Sequence, residues 1–251
     1  MIRRRPPAAC LREWVTGYWG FEEWTDGPMR RREGPGGDVV LIAGLGNEWL
    51  VDGDRRTSFV GGLRCSQVTT EHAGWSRGLQ VGLVPWAAHV LLRTPMHELA
   101  GTTAPLAELL PGDLVERLTD AATWDERFVL VDDALARRLA DAPSVSPGLI
   151  WAWDRLRRTH GRARVGSLAD ELGWSRKRLV ARFREQIGLP PKAAARLLRF
   201  ERARTLAGTM SWGELAFACG FADQPHLISE FRAFTGRTPE TFLQDTVAAA
   251  S

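Results

Sequence analysis

The chain has 251 residues, 44% of them apolar and 25% charged, an ordinary composition for a globular protein of one or two domains. Its net charge of +3 is unevenly spread: residues 147–251 hold 17 Lys and Arg against 10 Asp and Glu, a balance of +7, and residues 1–146 hold 16 against 20, a balance of −4. No apolar run is long enough for a membrane-spanning helix, and the basic start MIRRRPPAAC lacks the apolar stretch of a secretory signal, so a cytoplasmic protein is expected.

Up to about residue 85 short apolar runs alternate with turn signals. VTGYWGFEEW, DVVLIAGLG, EWLVDGD, SFVGGLRCSQVTT and GLQVGLV read as strands, separated by DGP, GPGGD, DGD and AGWSRG, which supply the Gly, Asp and Pro that turns need. The spacing predicts a small β-rich barrel-like (cupin-like) domain or a sandwich. From Trp86 the period becomes helical: WAAHVLLR, PLAELL, GDLVERLTDAA and WDERFVLVDDALARRLA follow. APSVSPG, residues 142–148, breaks the pattern and marks a domain boundary. The expected fold class is α+β: residues 1–146 as a β-rich domain with C-terminal helices, and residues 147–251 as an all-α domain.

The second half reads as helices throughout, and part of it is repeated. Leu168-Ala169 corresponds to Leu215-Ala216, and Gly173-Trp174 to Gly220-Phe221, at an offset of 47 residues. Beyond the turn the offset is 48: Leu179 corresponds to Leu227, Phe183 to Phe231, Gly188 to Gly236 and Pro191 to Pro239. Each copy reads helix, Gly-aromatic turn, helix, Gly, Pro, which is a helix-turn-helix present twice. The second helices are expected at about 176–187 and 224–235. In the latter, Asp223 as N-cap puts Pro225 in the first turn, where its missing N–H costs little.

Wheel positions divide these two helices. Leu179, Phe183 and Ile187 share one side of the first, and Leu227, Phe231 and Phe234 one side of the second. The opposite sides carry Arg176, Lys177, Val180, Ala181 and Arg184, and Gln224, Pro225, Ser229 and Arg232. Lys177 and Arg184 suit guanine edges or phosphate, Gln224 an adenine edge, and Val180 and Ala181 a thymine methyl. Ser229 suits a phosphate or a bridging water, Arg232 the DNA backbone, and Pro225 only van der Waals contact. His226 reads as a surface or packing residue. Arg196, Arg199, Arg202 and Arg204 on the connecting helix suit phosphate contacts and pairing with Glu201 and its neighbours equally well.

The two motifs joined by one helix, with LAFACGF…F…F…GRTPETF in the second, resemble the AraC/XylS family of transcription regulators. GLQVGLVPWAAHVLLRTPMHELAGTTAPLAELL also resembles a domain of poorly known function often fused to them. The resemblance implies two recognition helices in successive major grooves, with base contacts falling on Lys177, Val180 and Ala181. It implies double-stranded DNA, RNA polymerase and a small-molecule effector of unknown identity as partners, with residues 1–146 as a sensor and dimerisation domain, while the double helix-turn-helix can also bind DNA as a monomer. The apolar Val180 and Ala181 depart from members with long polar side chains there, which points to looser base reading by the first helix.

Enzyme signatures are weak. Gly74-Trp75-Ser76-Arg77-Gly78 spells G-x-S-x-G, but no helix follows it, so it reads as a turn between strands rather than a nucleophile elbow. Gly44-Leu45-Gly46 lacks the third glycine of a dinucleotide site. The five histidines show no HExxH spacing, and Cys10, Cys65 and Cys219 form no CxxC pair, so no metal or cofactor is expected and the thiols read as free. Seven of the eleven tryptophans lie before residue 125, where they read mainly as core, with pocket lining as a second role. The rival reading is a small-molecule-binding or enzymatic barrel with a basic protein-interaction domain; the charge split favours DNA.

Overall fold

The computed structural model describes residues 1–110 and 112–248. Its first half is one antiparallel sheet of β1 (Ile2–Arg5), β2 (Val15–Glu33), β3 (Val39–Gly44), β4 (Trp49–Val51), β5 (Asp54–Arg56), β6 (Phe59–Gly61), β7 (Val68–Leu83) and β8 (Thr103–Pro105). The order is β1-β2-β7-β3-β6-β8, with β4 joined to β7 and β5 to β4. Helices α1 (Pro85–Leu92), α2 (Met96–Leu99), α3 (Leu106–Leu109), α4 (Leu114–Asp120) and α5 (Trp124–Ala140) accompany it.

Two expected turns are strand. DGP lies inside β2 and AGWSRG inside β7, because the two strands pair along almost their whole length, Trp24 opposite Trp75 and Glu33 opposite Val68. Ladder hydrogen bonds outweigh the local turn preference of Gly and Asp, and the cost appears as an irregularity between Thr25 and Met29 and a left-handed Gly74 at φ 70°. The G-x-S-x-G string is therefore mid-strand, and the Ser76 hydroxyl accepts a hydrogen bond from Trp49 Nε1 at 3.2 Å.

The connection between Glu33 and Val39 shapes this sheet. Glu33 sits beside Val68 at one end of β7, and Val39 beside Leu83 at the other. A straight strand of that length would span about 50 Å, whereas the connection reaches only roughly 20 Å. The β2–β7 ribbon must curl back on itself, enclosing a hollow. Among the described residues no ladder joins β1 to β8, so the curled sheet is not a closed barrel.

Residues 142–146 carry no regular structure. Then follow α6 (Pro147–Arg158), α7 (Val165–Glu171), α8 (Arg176–Ile187), α9 (Pro191–Leu206), α10 (Trp212–Cys219), α11 (Gln224–Thr235) and α12 (Pro239–Ala248). One buried apolar cluster runs through both halves. At their junction α8 packs on α1 and α2, and Gly188, at φ 96°, comes so close to Met96 that a Cβ would lie 2.9 Å from its carbonyl oxygen. Tyr18, which donates to Asp132 Oδ1 at 2.8 Å, ties β2 to α5; burial first, and that bond second, push its phenol well above its usual range.

Candidate nucleic-acid interface

Local chemistry sets both second helices of the repeat. Ser175 caps α8 by accepting from Arg178 N at 3.2 Å, and Asp223 caps α11 by accepting from His226 N at 2.8 Å. Left-handed Gly188 and Gly236 end them. The two turns are built alike: Trp174 N donates to Ala169 O, and Phe221 N to Ala216 O, each at 2.9 Å. The turn glycines Gly173 and Gly220 sit at φ 62° and 76°.

The repeat offset changes between Phe221 and Asp223, so the inserted residue is Ala222. Its N–H is taken up by His226 Nδ1 at 3.2 Å. His226 also stacks edge-on against Phe221, which gives it a local structural role.

Each second helix is pinned by its apolar side. Leu179, Phe183 and Ile187 are fully buried, as are Leu227 and Phe231, with Phe234 at 1% exposure. Phe200 of α9 stacks on Phe234 at 4.6 Å between ring centroids and meets Phe231 edge-on at 5.1 Å. On the other side Arg176, Lys177, Ala181 and Arg184 are exposed and Val180 is half-buried; Gln224, Pro225, Ser229 and Arg232 are all exposed. Arg176, Lys177, Arg184 and Arg232 have no carboxylate within ion-pair distance among the described residues.

The first turns differ in what they offer. On α8 the backbone N–H groups of Arg176 and Lys177 precede the capped donor; on α11 Pro225 has none, leaving Gln224 alone ahead of the capped His226. The second helix can therefore hold a phosphate less well through its backbone.

Two connecting-helix arginines are committed to structure. Arg196 Nε lies 3.1 Å from both carboxylate oxygens of Glu230, and Arg199 donates to Gly161 O at 3.0 Å. Burial lowers the Arg199 pKa. Arg196 thus pairs with Glu230 on α11, not with Glu201. Arg202 and Arg204 remain half-buried. Phe200 and Glu230 were not singled out from sequence; Phe200 sits in an ordinary amphipathic pattern, and Glu230 finds its partner 34 residues away.

A helix-turn-helix domain family matches residues 168–245, where both turns, both caps and both buried faces lie. The second half of the chain carries that helix-turn-helix domain. A second family, a domain of unknown function, matches residues 3–105. The xylose operon regulatory protein of Escherichia coli is 28% identical over 135 residues, covering 51% of the chain and 34% of that protein; the chain spans about a third of the curated relatives it matches. A structure of the xylose-binding transcription activator XylR is 23% identical with a TM-score of 0.35, covering 46% of this chain and 38% of that one. Apo ToxT from Vibrio cholerae, in a variant form, covers 90% of this chain and 96% of its own with a TM-score of 0.50 and 12% identity, a likeness of fold.

The curl of the N-terminal sheet encloses a cavity of about 850 Å³. Trp19, Phe21, Trp49 and Phe59 form its apolar wall, and Glu23, Arg31 and His72 are among its polar groups. Arg31 grips Glu23 with two bonds of 2.6 Å, and that contact holds the Glu23 carboxyl below its usual pKa. Trp24 and Trp75, by contrast, are exposed and pack on each other outside. One lining residue, Glu201, belongs to α9 of the helical half.

Proposed function

We propose that this protein is a sequence-specific DNA-binding transcription regulator, with residues 1–146 as a sensor domain and residues 147–251 as the DNA-binding domain. The observation that carries the reading is the pair of equivalent recognition helices, each pinned by a buried apolar side and each presenting an exposed side with unpaired cations. α8 and α11 enter successive major grooves. Lys177 and Arg184 contact guanine edges or phosphate, Val180 and Ala181 thymine methyls, Gln224 an adenine edge, and Arg176, Ser229 and Arg232 the backbone, with Pro225 in van der Waals contact. A small-molecule effector in the N-terminal cavity controls binding. Homodimerisation through the sensor domain, contact with RNA polymerase and a cytoplasmic location belong to the same reading, and it assigns no catalysis.

A mobility-shift titration of the full chain on DNA upstream of its own gene, across a salt series, tests it. Six or so phosphate contacts give a linear fall of log K with log salt at a slope of about −5. Affinity indifferent to salt contradicts it.

A further inference from the structure

The reading above leaves the effector's chemistry open, and the cavity's own charges speak to it. Its cationic side chains are already engaged: Arg31 by Glu23, and Arg64 by Asp52 at 3.0 Å and Gly101 O at 2.8 Å. Some of its acceptors are not. Asp38 Oδ2 takes the Thr16 hydroxyl at 2.8 Å, but Oδ1 is buried without a partner. The Glu201 carboxylate accepts only a long 3.4 Å bond from Gly37 N. Glu33, Asp38 and Glu201 all line the cavity, and among the described residues none has a cation within 4 Å. Arg157 acts on Asp38 only from farther away, and Arg204 lies beside Gly34.

His72 adds an independent sign. Its side chain is 4% exposed and lies in the cavity wall, with Nε2 3.0 Å from Glu23 Oε1. Nδ1 has no partner. The Nε2 contact falls short of hydrogen-bond alignment, so both ring nitrogens are buried without a hydrogen-bond partner. The cavity is thus rich in unfilled acceptors within an aromatic wall, the environment that suits a cation.

We propose that this cavity binds an organic cation, an amine or guanidine on an apolar or aromatic body, whose charged group sits between Asp38 and Glu201. The inference rests on the effector reading and gives it a chemistry. Asp38 belongs to the sheet domain and Glu201 to α9, so the ligand bridges the two halves. Without it the carboxylates repel: burial first, and the charge of Glu201 among the lesser causes, raise the Asp38 pKa. The loop between them is built for close approach, since a Cβ on Gly37 would lie 3.1 Å from both Glu201 Oε2 and Leu198 Cδ2. Glu201 directly follows Phe200, which packs on Phe231 and Phe234 of the second recognition helix. Fixing α9 from the cavity side therefore bears on the seating of α11.

The test is thermal unfolding and calorimetric titration of the full chain with matched probes: tryptamine and phenylbutylamine as cations, indole-3-propionate and phenylbutyrate as anions. The amines are expected to raise Tm and bind at least tenfold more tightly than the acids. Glu201→Gln and Asp38→Asn, near-isosteric and each checked for unchanged unliganded folding, should each weaken amine binding tenfold or more. Acids binding as well as amines, amines binding both variants undiminished, or no amine binding at all overturns the proposal. DNA titration of the same samples separates the two readings: intact DNA binding with failed amine binding removes this inference alone.

Discussion

Arg196 on α9 and Glu230 on α11 form a part-buried ion pair, with Nε 3.1 Å from both carboxylate oxygens. Glu230 is 8% exposed, and His226 Nε2, 3.8 Å away, is a second, weaker neighbour. The pair fixes α11 to α9, the element that joins both motifs. Arg196→Ala leaves a largely buried carboxylate without its main partner and is expected to cost about 1–3 kcal/mol. Replacing both residues together, with Met and Leu, should recover most of that loss. Urea unfolding of the singles and the double checks it; a double variant as unstable as the sum of the singles would refute the pairing account.

The start of the same helix makes a sharper chemical prediction. Asp223 caps it, so Asp223→Ala should lose about 1 kcal/mol while Asp223→Asn stays near wild type. Pro225→Ala should cost under about 1 kcal/mol, since proline there restricts the unfolded chain and removes no helical bond. Equal losses for the Ala and Asn variants at 223 would show that charge, rather than the cap bond, matters.

Gln224 and Lys177 should separate base reading from backbone holding. Gln224→Ala is expected to cost about 1–3 kcal/mol at one base position and leave other sequences unaffected. If Lys177 holds a phosphate, Lys177→Ala should weaken all DNA and reduce the salt slope by about one contact. A uniform loss for Gln224→Ala would assign it to the backbone instead.

Asp38 gives a pH signature. Its carboxyl is raised in the folded protein, chiefly by burial, so folding takes up a proton there. The associated stability is fully present below the ordinary carboxylate pKa of about 3.9 and is lost as pH rises through the folded value. Asp38→Asn should therefore be at least as stable as wild type at pH 7, with the advantage shrinking toward pH 3. An advantage that grows on acidification would contradict the burial of that group.

What was legible in the sequence follows the range of the interactions. The limits of α11 were legible in Asp223 and Gly236, each within a residue of the helix ends, Gly188 marked the end of α8, and wheel positions gave the inward faces. The long β2 and β7 were not legible, because DGP and AGWSRG carry true local turn chemistry that only the pairing of Trp24 with Trp75 overrides. Strands β1 and β8 were missed for a similar reason: each is short and depends on a neighbour far along the chain. The cavity, and Glu201 within it, arise from the curl of that ribbon and the packing of α9 against the 34–38 loop.

The central claim is that α8 and α11 read DNA together. Selection of binding sequences from a randomised duplex pool by the full chain tests it most directly. Two short conserved segments on one DNA face, centred about 10–10.5 base pairs apart, are predicted. Mutating Gln224 should alter one segment, and mutating Lys177 should leave that segment unchanged. Enrichment of a single segment, or of none, would contradict the account.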